Sequence, residues 1–184
     1  MTDQNLHPKV AWGITGAGHY LSDCIELLTG LKSADIFLSD AGKEVLNYYG
    51  WYERLISSGH SLIRKTGASC LPVTRLYTGK YDLVIIAPVT SNTIAKMACG
   101  IADNLITNLF AHAGKCRIPT ILLPCDSMAE MKSLTPQGKQ VLIHTREIDR
   151  ENIVRLSNWR MVTLVDDPQQ LKNLITRYDA ERQG

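Results

Sequence analysis

Apolar residues along this chain fall into short blocks separated by small polar residues and glycine. Lys9 to Thr15 is a largely apolar block that predicts a buried strand running into Thr15-Gly16-Ala17-Gly18. Leu21, Ile25, Leu27, Leu28 and Leu31 then recur at helical spacing, and Ala34 to Leu38 predicts a second strand stopped at Ser39-Asp40. Ala41 to Tyr49 and Tyr52 to Lys65 read as helices, and Cys70 to Val73 as a short strand. Asp82 to Ala87 carries the unbroken run Leu83-Val84-Ile85-Ile86, the pattern of a parallel strand covered on both faces. Ser91 to Cys99 and Asp103 to Ala113 read as helices broken by Gly100, followed by a strand at Thr120 to Leu123. Met128 to Leu134 reads as a short helix, Val141 to His144 as a strand, Arg150 to Ser157 as a helix and Met161 to Val165 as a last strand. Pro168 suits the first turn of a final helix, and Arg177 to Gly184 reads as a polar tail. Strands alternating with helices imply an α/β fold: a doubly wound, mostly parallel sheet with helices on both faces, in one domain over residues 1–184.

Composition narrows the function classes. Apolar residues make up 45% and charged residues 21% of the 184, which excludes a disordered or fibrous chain. The formal net charge of +2 and the scattered basic residues give no electrostatic case for nucleic acid or an anionic membrane. Apolar runs such as Leu83 to Pro88 are too short to cross a bilayer, and Met1 to Pro8 has no apolar signal core, so a cytoplasmic setting is expected. Five cysteines with no C-x-x-C pair argue against a disulfide framework or a metal or iron–sulfur site and for reduced, partly buried thiols.

Two segments carry chemistry. Gly13-Ile14-Thr15-Gly16-Ala17-Gly18 follows a strand and leads to a helix, where glycines permit close backbone approach and a helix N-terminus offers free N–H groups to an anion. It is not the G-x-G-x-x-G fingerprint, and no acid closes the second strand, which ends in Ser39. The loop reads either as a phosphate cradle or as a tight βα turn, and Ser39 either as a helix cap or as a hydroxyl completing the cradle. The second segment is Pro88-Val89-Thr90-Ser91-Asn92-Thr93, running on to Ala102-Asp103-Asn104. A buried strand here delivers a cluster of small polar groups at its carboxyl end, where open α/β sheets bind ligands. Hydroxyls and an amide suit a neutral ligand such as an isoalloxazine edge or a ribityl chain, whereas a cap at Ser91 or Asn92 would explain only one of them. His19 reads as an exposed helix-start residue or a charge beside the phosphate site, and His60 as a surface residue. Trp12 and Trp51 read as core or interface aromatics that could also stack on a ring.

Pro88-Val89-Thr90-Ser91-Asn92-Thr93 followed by Gly100-Ile101-Ala102-Asp103-Asn104-Leu105 resembles the paired signature of the homo-oligomeric flavin-containing cysteine decarboxylase superfamily. Gly13-Ile14-Thr15-Gly16-Ala17 resembles its first loop and Ser39 its second, so the resemblance spans residues 9–125. It implies a flavodoxin-like fold, FMN as cofactor, a phosphate held by the first loop and Ser39, the Ser-Asn-Thr cluster near the flavin, and trimers or multiples of three. The decarboxylase branch fits less well: Thr74 stands where those enzymes carry a catalytic histidine, and Pro124-Cys125-Asp126-Ser127 replaces their P-x-M-N motif. The prenyl-flavin synthase pattern is not found. Ala11 to His19, and Gly138 to Leu156 with Arg146, Asp149 and Asn152, look like the archaeoflavoprotein and dihydromethanopterin reductase group. That resemblance implies an FMN oxidoreductase with a reduced pterin substrate and a separate electron-donor protein, since no ferredoxin-type cysteine cluster is present. Its rivals are an electron carrier without its own substrate, and a lyase or transferase. No general acid is dictated by the sequence. Gly100 to Phe110, with Leu105, Ile106 and Leu109, reads either as a subunit contact or as core.

Overall fold

A computed structural model describes residues 9–64, 71–135 and 137–183. Its strands are β1 (Val10–Ile14), β2 (Ala34–Leu38), β3 (Ser61–Arg64), β4 (Leu83–Val89), β5 (Thr120–Pro124), β6 (Glu130–Leu134), β7 (Gln140–His144) and β8 (Val162–Leu164). Six of them form one parallel sheet in the order β3-β2-β1-β4-β5-β8. Leaving aside the short outer strand β3, the order read along the chain is 2-1-3-4-5, the flavodoxin-like winding; β3 extends it to six strands. The helices are α1 (Leu21–Thr29), α2 (Asp40–Tyr48), α3 (Tyr52–Ile56), α4 (Ser91–Ala98), α5 (Leu105–Lys115), α6 (Glu147–Ser157) and α7 (Pro168–Gln183).

The unbroken apolar runs of β1 and β4 are buried along their whole length because helices cover both faces. Val10, Trp12, Ile14, Ile85 and Ala87 pack with Leu21, Ile25 and Leu28 of α1, Leu46 of α2 and Leu171 of α7. The alternate side chains Ala11, Val84 and Ile86 pack with Ile94 and Met97 of α4, Leu105, Ile106 and Leu109 of α5, and Leu156 of α6. Each fully buried aliphatic side chain contributes about 1.5–3 kcal/mol, so the strongest part of the sheet is its centre, between β1 and β4. The apolar face of α5 is therefore core. Trp12 is core as well, with no exposed surface and its indole N–H donating to the Ala87 carbonyl at 2.8 Å.

Four expectations change. The helix expected over Tyr52 to Lys65 is α3 followed by edge strand β3; Gly59, at φ 79°, turns the chain between them, and Lys65 lies outside the described residues. Of the strand expected at Cys70 to Val73, Cys70 lies outside the described residues and Leu71–Thr78 is a 3₁₀-helix that buries Val73 and Leu76, three residues apart. Met128 to Leu134 is not a helix: Glu130–Leu134 is strand β6, paired antiparallel with β7. Met131 and Ser133 turn inward while Glu130, Lys132 and Leu134 face out. The expected polar tail continues α7 to Gln183, with Tyr178 packed against the core. Thr74 spends its hydroxyl on the Leu71 carbonyl at 2.7 Å. Arg146 donates twice to the buried Asp149 carboxylate, at 2.8 and 2.7 Å, and Asn152 is buried on the same helix.

Candidate functional site

The winding of the sheet reverses between β1 and β4, and the carboxyl ends of β1, β2 and β4 meet there. Thr15 joins two of them. Its Oγ1 donates to the Pro88 carbonyl at 2.9 Å and accepts from the Thr90 amide at 3.0 Å, so the first loop and the end of β4 are tied through one buried hydroxyl. Ser39 closes β2 and caps α2, accepting the Gly42 amide at 2.9 Å and donating to the Ile14 carbonyl at 3.1 Å. The cap reading of Ser39 is thus realised, and the same bonds hold it beside the first loop. A Cβ on Gly16 would lie 2.9 Å from the Ala41 Cβ, and one on Gly18 would lie 2.5 Å from the Tyr49 hydroxyl. Gly16 thus lets the loop pass close to α2, while a side chain at position 18 would have to displace the Tyr49 ring. Among the described residues, the amides of Gly16, Ala17 and Gly18 donate to no protein acceptor, although Ala17 is only 4% exposed. Three consecutive free N–H groups beside the first turn of α2 form a concave donor surface suited to one anion.

At the end of β4, Pro88 follows a cis peptide bond and Val89 completes the strand. Thr90, rather than Ser91 or Asn92, caps α4: its Oγ1 accepts the Thr93 amide at 3.3 Å and lies 3.0 Å from Thr93 Oγ1. The Ser91 hydroxyl donates to the Asp126 carboxylate. Asn92 is exposed, and its side-chain amide makes no hydrogen bond among the described residues. Asn104 caps α5, with Oδ1 accepting the Ile106 and Thr107 amides at 3.0 Å each. Asp103 pairs with Lys96 at 2.5 Å, a hydrogen bond that holds its carboxyl below the usual range, and the Ala102 carbonyl accepts from Asn108 at 3.2 Å. The bonds of these three residues stay within the α4–α5 segment. They connect to the first loop indirectly, through α4, whose cap Thr90 is bonded to Thr15, and through α5, whose Ile106 lies beside Gly13 of β1.

Several residues at this edge were not legible as a group. His19 does not open α1 but sits half-buried in the loop before it, ahead of Tyr20 at φ 62°. Burial lowers its imidazole pKa against the opposing charges of Asp126 and Asp23. Burial, then the Asp126 charge, pushes the Cys125 thiol well above its ordinary value. Gly18, His19, Trp51, Ser133, Leu134 and Gly138 line a cavity of about 510 Å³ between the first loop and the β6–β7 hairpin. The hairpin is held there by the Tyr49 hydroxyl, which donates to the Leu134 carbonyl at 3.0 Å. A larger hollow, about 670 Å³, lies between α1 and α7; Gly18 and His19 line the smaller cavity but not this one, so the smaller is the one that borders the glycine loop. Trp51, half-buried in that wall, carries the Arg54 guanidinium 5.2 Å over its ring, whereas Trp12 is wholly core. His60 is also half-buried, its Nε2 3.1 Å from the Leu28 carbonyl.

The sequence model of the family described as Flavoprotein matches residues 1–182. The chain belongs to the Flavoprotein family. This flavoprotein is 40% identical to DmrB of Burkholderia xenovorans over 95% of its own chain and 96% of the other, with a TM-score of 0.87. That crystal structure is of DmrB in complex with FMN and is described as a cubic protein cage for redox transfer. An uncharacterised protein of Methanocaldococcus jannaschii is 36% identical over 177 residues, covering 92% of this flavoprotein and 95% of the relative. The dihydromethanopterin reductase (acceptor) of Methanosarcina mazei is 38% identical over 141 residues, 70% of this flavoprotein and 59% of the reductase, so this flavoprotein spans less than two thirds of that enzyme's length. Among the described residues, no helix is long and apolar enough to cross a membrane.

Proposed function

We propose that residues 1–184 form one FMN-binding domain and that this flavoprotein is an oxidoreductase reducing the C=N bond of a reduced pterin with electrons from a separate donor protein. The observation that carries the reading is the set of free amides at Gly16, Ala17 and Gly18 beside the α2 N-terminus. With Thr15 and Ser39 fixing the loop through their bonds to Pro88, Thr90, Ile14 and Gly42, and with Gly13 keeping the strand end slim, it suits a single terminal phosphate. The second strand ends in Ser39, not in the acid that would hold an adenosine ribose, which favours a mononucleotide. Pro88, Val89, Thr90, Ser91, Asn92 and Thr93 are assigned to flank the ring and its chain, with the unbonded Asn92 side-chain amide able both to donate and to accept. Ala102, Asp103 and Asn104 are assigned to the outer edge of the same site.

Bound FMN supplies the electron transfer; the protein positions it and controls access. The cavity between His19, Trp51 and the hairpin gives a second molecule room beside the first loop, which favours a substrate-reducing enzyme over a pure carrier. The kinship with a cage-forming FMN protein also supports a homo-oligomer, a trimer or a multiple of three.

The test has two parts. Mass spectrometry of the cofactor released on denaturation should give FMN, and finding FAD would overturn the site assignment. Anaerobically reduced protein mixed with a 7,8-dihydropterin should reoxidise with formation of the tetrahydropterin. A reduced protein that passes electrons to other proteins but to no dihydropterin would be a carrier instead. Light scattering on the same sample should give a mass that is a multiple of three chains.

A further inference from the structure

At the carboxyl end of β5 stands a group of polar side chains that neither the core nor the phosphate cradle uses. Asp126 accepts the Ser91 hydroxyl through Oδ2, which fixes its carboxylate next to the end of β4. His19 faces it from the loop after β1, close enough for the Asp126 charge to oppose the effect of burial on the imidazole. No cation forms an ion pair with Asp126 among the described residues. Ser127, the next residue, has its Oγ buried without a hydrogen-bond partner. Buried hydroxyls are seldom left so in native proteins, and a bound group reaching Ser127 would complete its bonding.

The carboxylate offers about four lone-pair sites on its two oxygens, and Ser91 takes one. Both oxygens therefore keep acceptor capacity: the Arg146 charge reaches Asp126, but that guanidinium donates to Asp149 and forms no ion pair with Asp126 among the described residues. A ring edge presenting two adjacent N–H donors fits that vacancy in acceptor chemistry. A carboxylate or phosphate does not, because Asp126 would repel it.

We propose that Asp126 is the specificity residue for the substrate: its carboxylate accepts the paired N–H and NH₂ donors of a cyclic acylguanidine, the 2-amino-4-oxo edge that a pterin presents, with the Ser127 hydroxyl as a second contact. The assignment rests on the pterin reading given above. Two parallel charge-assisted bonds to a planar donor pair supply geometry as well as affinity. They also discriminate: a 2,4-dioxo ring places a carbonyl where the amino group was, and that oxygen faces the carboxylate unfavourably. Ser91 acts through Asp126 and is a positioning residue.

The test is calorimetric titration of the FMN-loaded protein with 6-methylpterin and with its 2,4-dioxo counterpart, lumazine. The unaltered protein should prefer 6-methylpterin by about tenfold or more, the scale of a charge-assisted hydrogen bond. Asp126→Asn should lose most of that preference, weakening 6-methylpterin about tenfold while FMN content and melting temperature stay unchanged. Ser91→Ala should weaken it less. Equal binding of the two rings by the unaltered protein overturns the role of Asp126 while leaving the pterin site standing, and this comparison does not depend on any variant folding. Binding of neither ring overturns the pterin reading and this assignment with it. An Asp126→Asn protein that loses FMN would place the residue against the cofactor rather than the substrate, and one that binds 6-methylpterin within twofold of the unaltered protein would remove it from recognition.

Discussion

Thr90 and Asn92 stand two residues apart in the first turn of α4, and the structure gives them separate duties. Thr90 accepts the Thr93 amide and also donates its own amide to Thr15, so it is bonded on both sides. Asn92 is exposed, and its side chain is bonded to nothing among the described residues. Thr90→Ala should therefore cost about 1 kcal/mol of stability, the usual value of a lost cap. Asn92→Ala should shift stability by no more than about 0.5 kcal/mol, as surface changes do. It should weaken FMN binding about tenfold, since one buried hydrogen bond and its unpaired partner amount to about 1.4 kcal/mol. Flavin titration and thermal melts of both variants separate the two roles. Reduced stability with unchanged flavin affinity in Asn92→Ala would take that residue out of the site. The bonds that make Ser39 a cap also hold it beside the first loop.

At the level of elements, what was legible followed apolar continuity. β1, β2, β4 and β5 are fully buried and were recognisable from runs such as Leu83-Val84-Ile85-Ile86. The end of β4 stood out as a candidate site because four small polar residues follow an apolar run. β6 was not legible: in Glu130-Met131-Lys132-Ser133-Leu134 the inward positions are Met131 and a serine, while Leu134 faces out, so the alternation is disguised. β3 failed for a related reason, since only Ile63 of its four residues is buried. Asp126 was seen only as a departure from another motif; its partner Ser91 is 35 residues away, a pairing no local pattern encodes. The hairpin of β6 and β7 is joined to α2 by the Tyr49 hydroxyl and, from the loop, by Gln137 donating to the Tyr48 hydroxyl at 2.8 Å. Tyr49→Phe keeps the ring over Gly18 and removes only the first of these. Hydrogen exchange at hairpin amides should then speed up about fivefold, the equivalent of about 1 kcal/mol, with core strands unaffected. Unchanged exchange in the hairpin would mean that other contacts hold it closed.

The molecule as a whole is close to electroneutral, with a formal charge of +2, so its response to acid depends on particular carboxylates rather than on overall repulsion. Asp35 sits under the amino ends of the strands. Burial raises its carboxyl pKa, but Lys80, Tyr81 and Arg75 outweigh burial and hold it below the ordinary carboxylate range. Asp149 is held low chiefly by its hydrogen bonds to Arg146. A folded-state pKa below the unfolded one means that the folded chain binds the proton less tightly. The stabilisation is complete above the unfolded value, near pH 4, and is lost as pH falls from there through the folded value. Thermal melts between pH 7 and pH 3 should show a plateau followed by a fall, and Asp35→Asn should lower the plateau and flatten the fall. An acid limb of equal steepness in the variant would mean that Asp35 does not govern it.

The Thr15 hydroxyl reaches 73 residues forward to the Pro88 carbonyl and 75 to the Thr90 amide. A ribosome delivers the chain from its N-terminus at a finite pace, so the glycine loop leaves the exit tunnel well before the strand that gives it shape. Until β4 has docked beside β1, the loop amides have no fixed arrangement to offer a ligand. Ligand capture by the nascent chain is thus a late event in its synthesis, and a ribosome stalled before Thr90 would hold a chain with its glycine loop already made and its amides not yet arranged for any ligand.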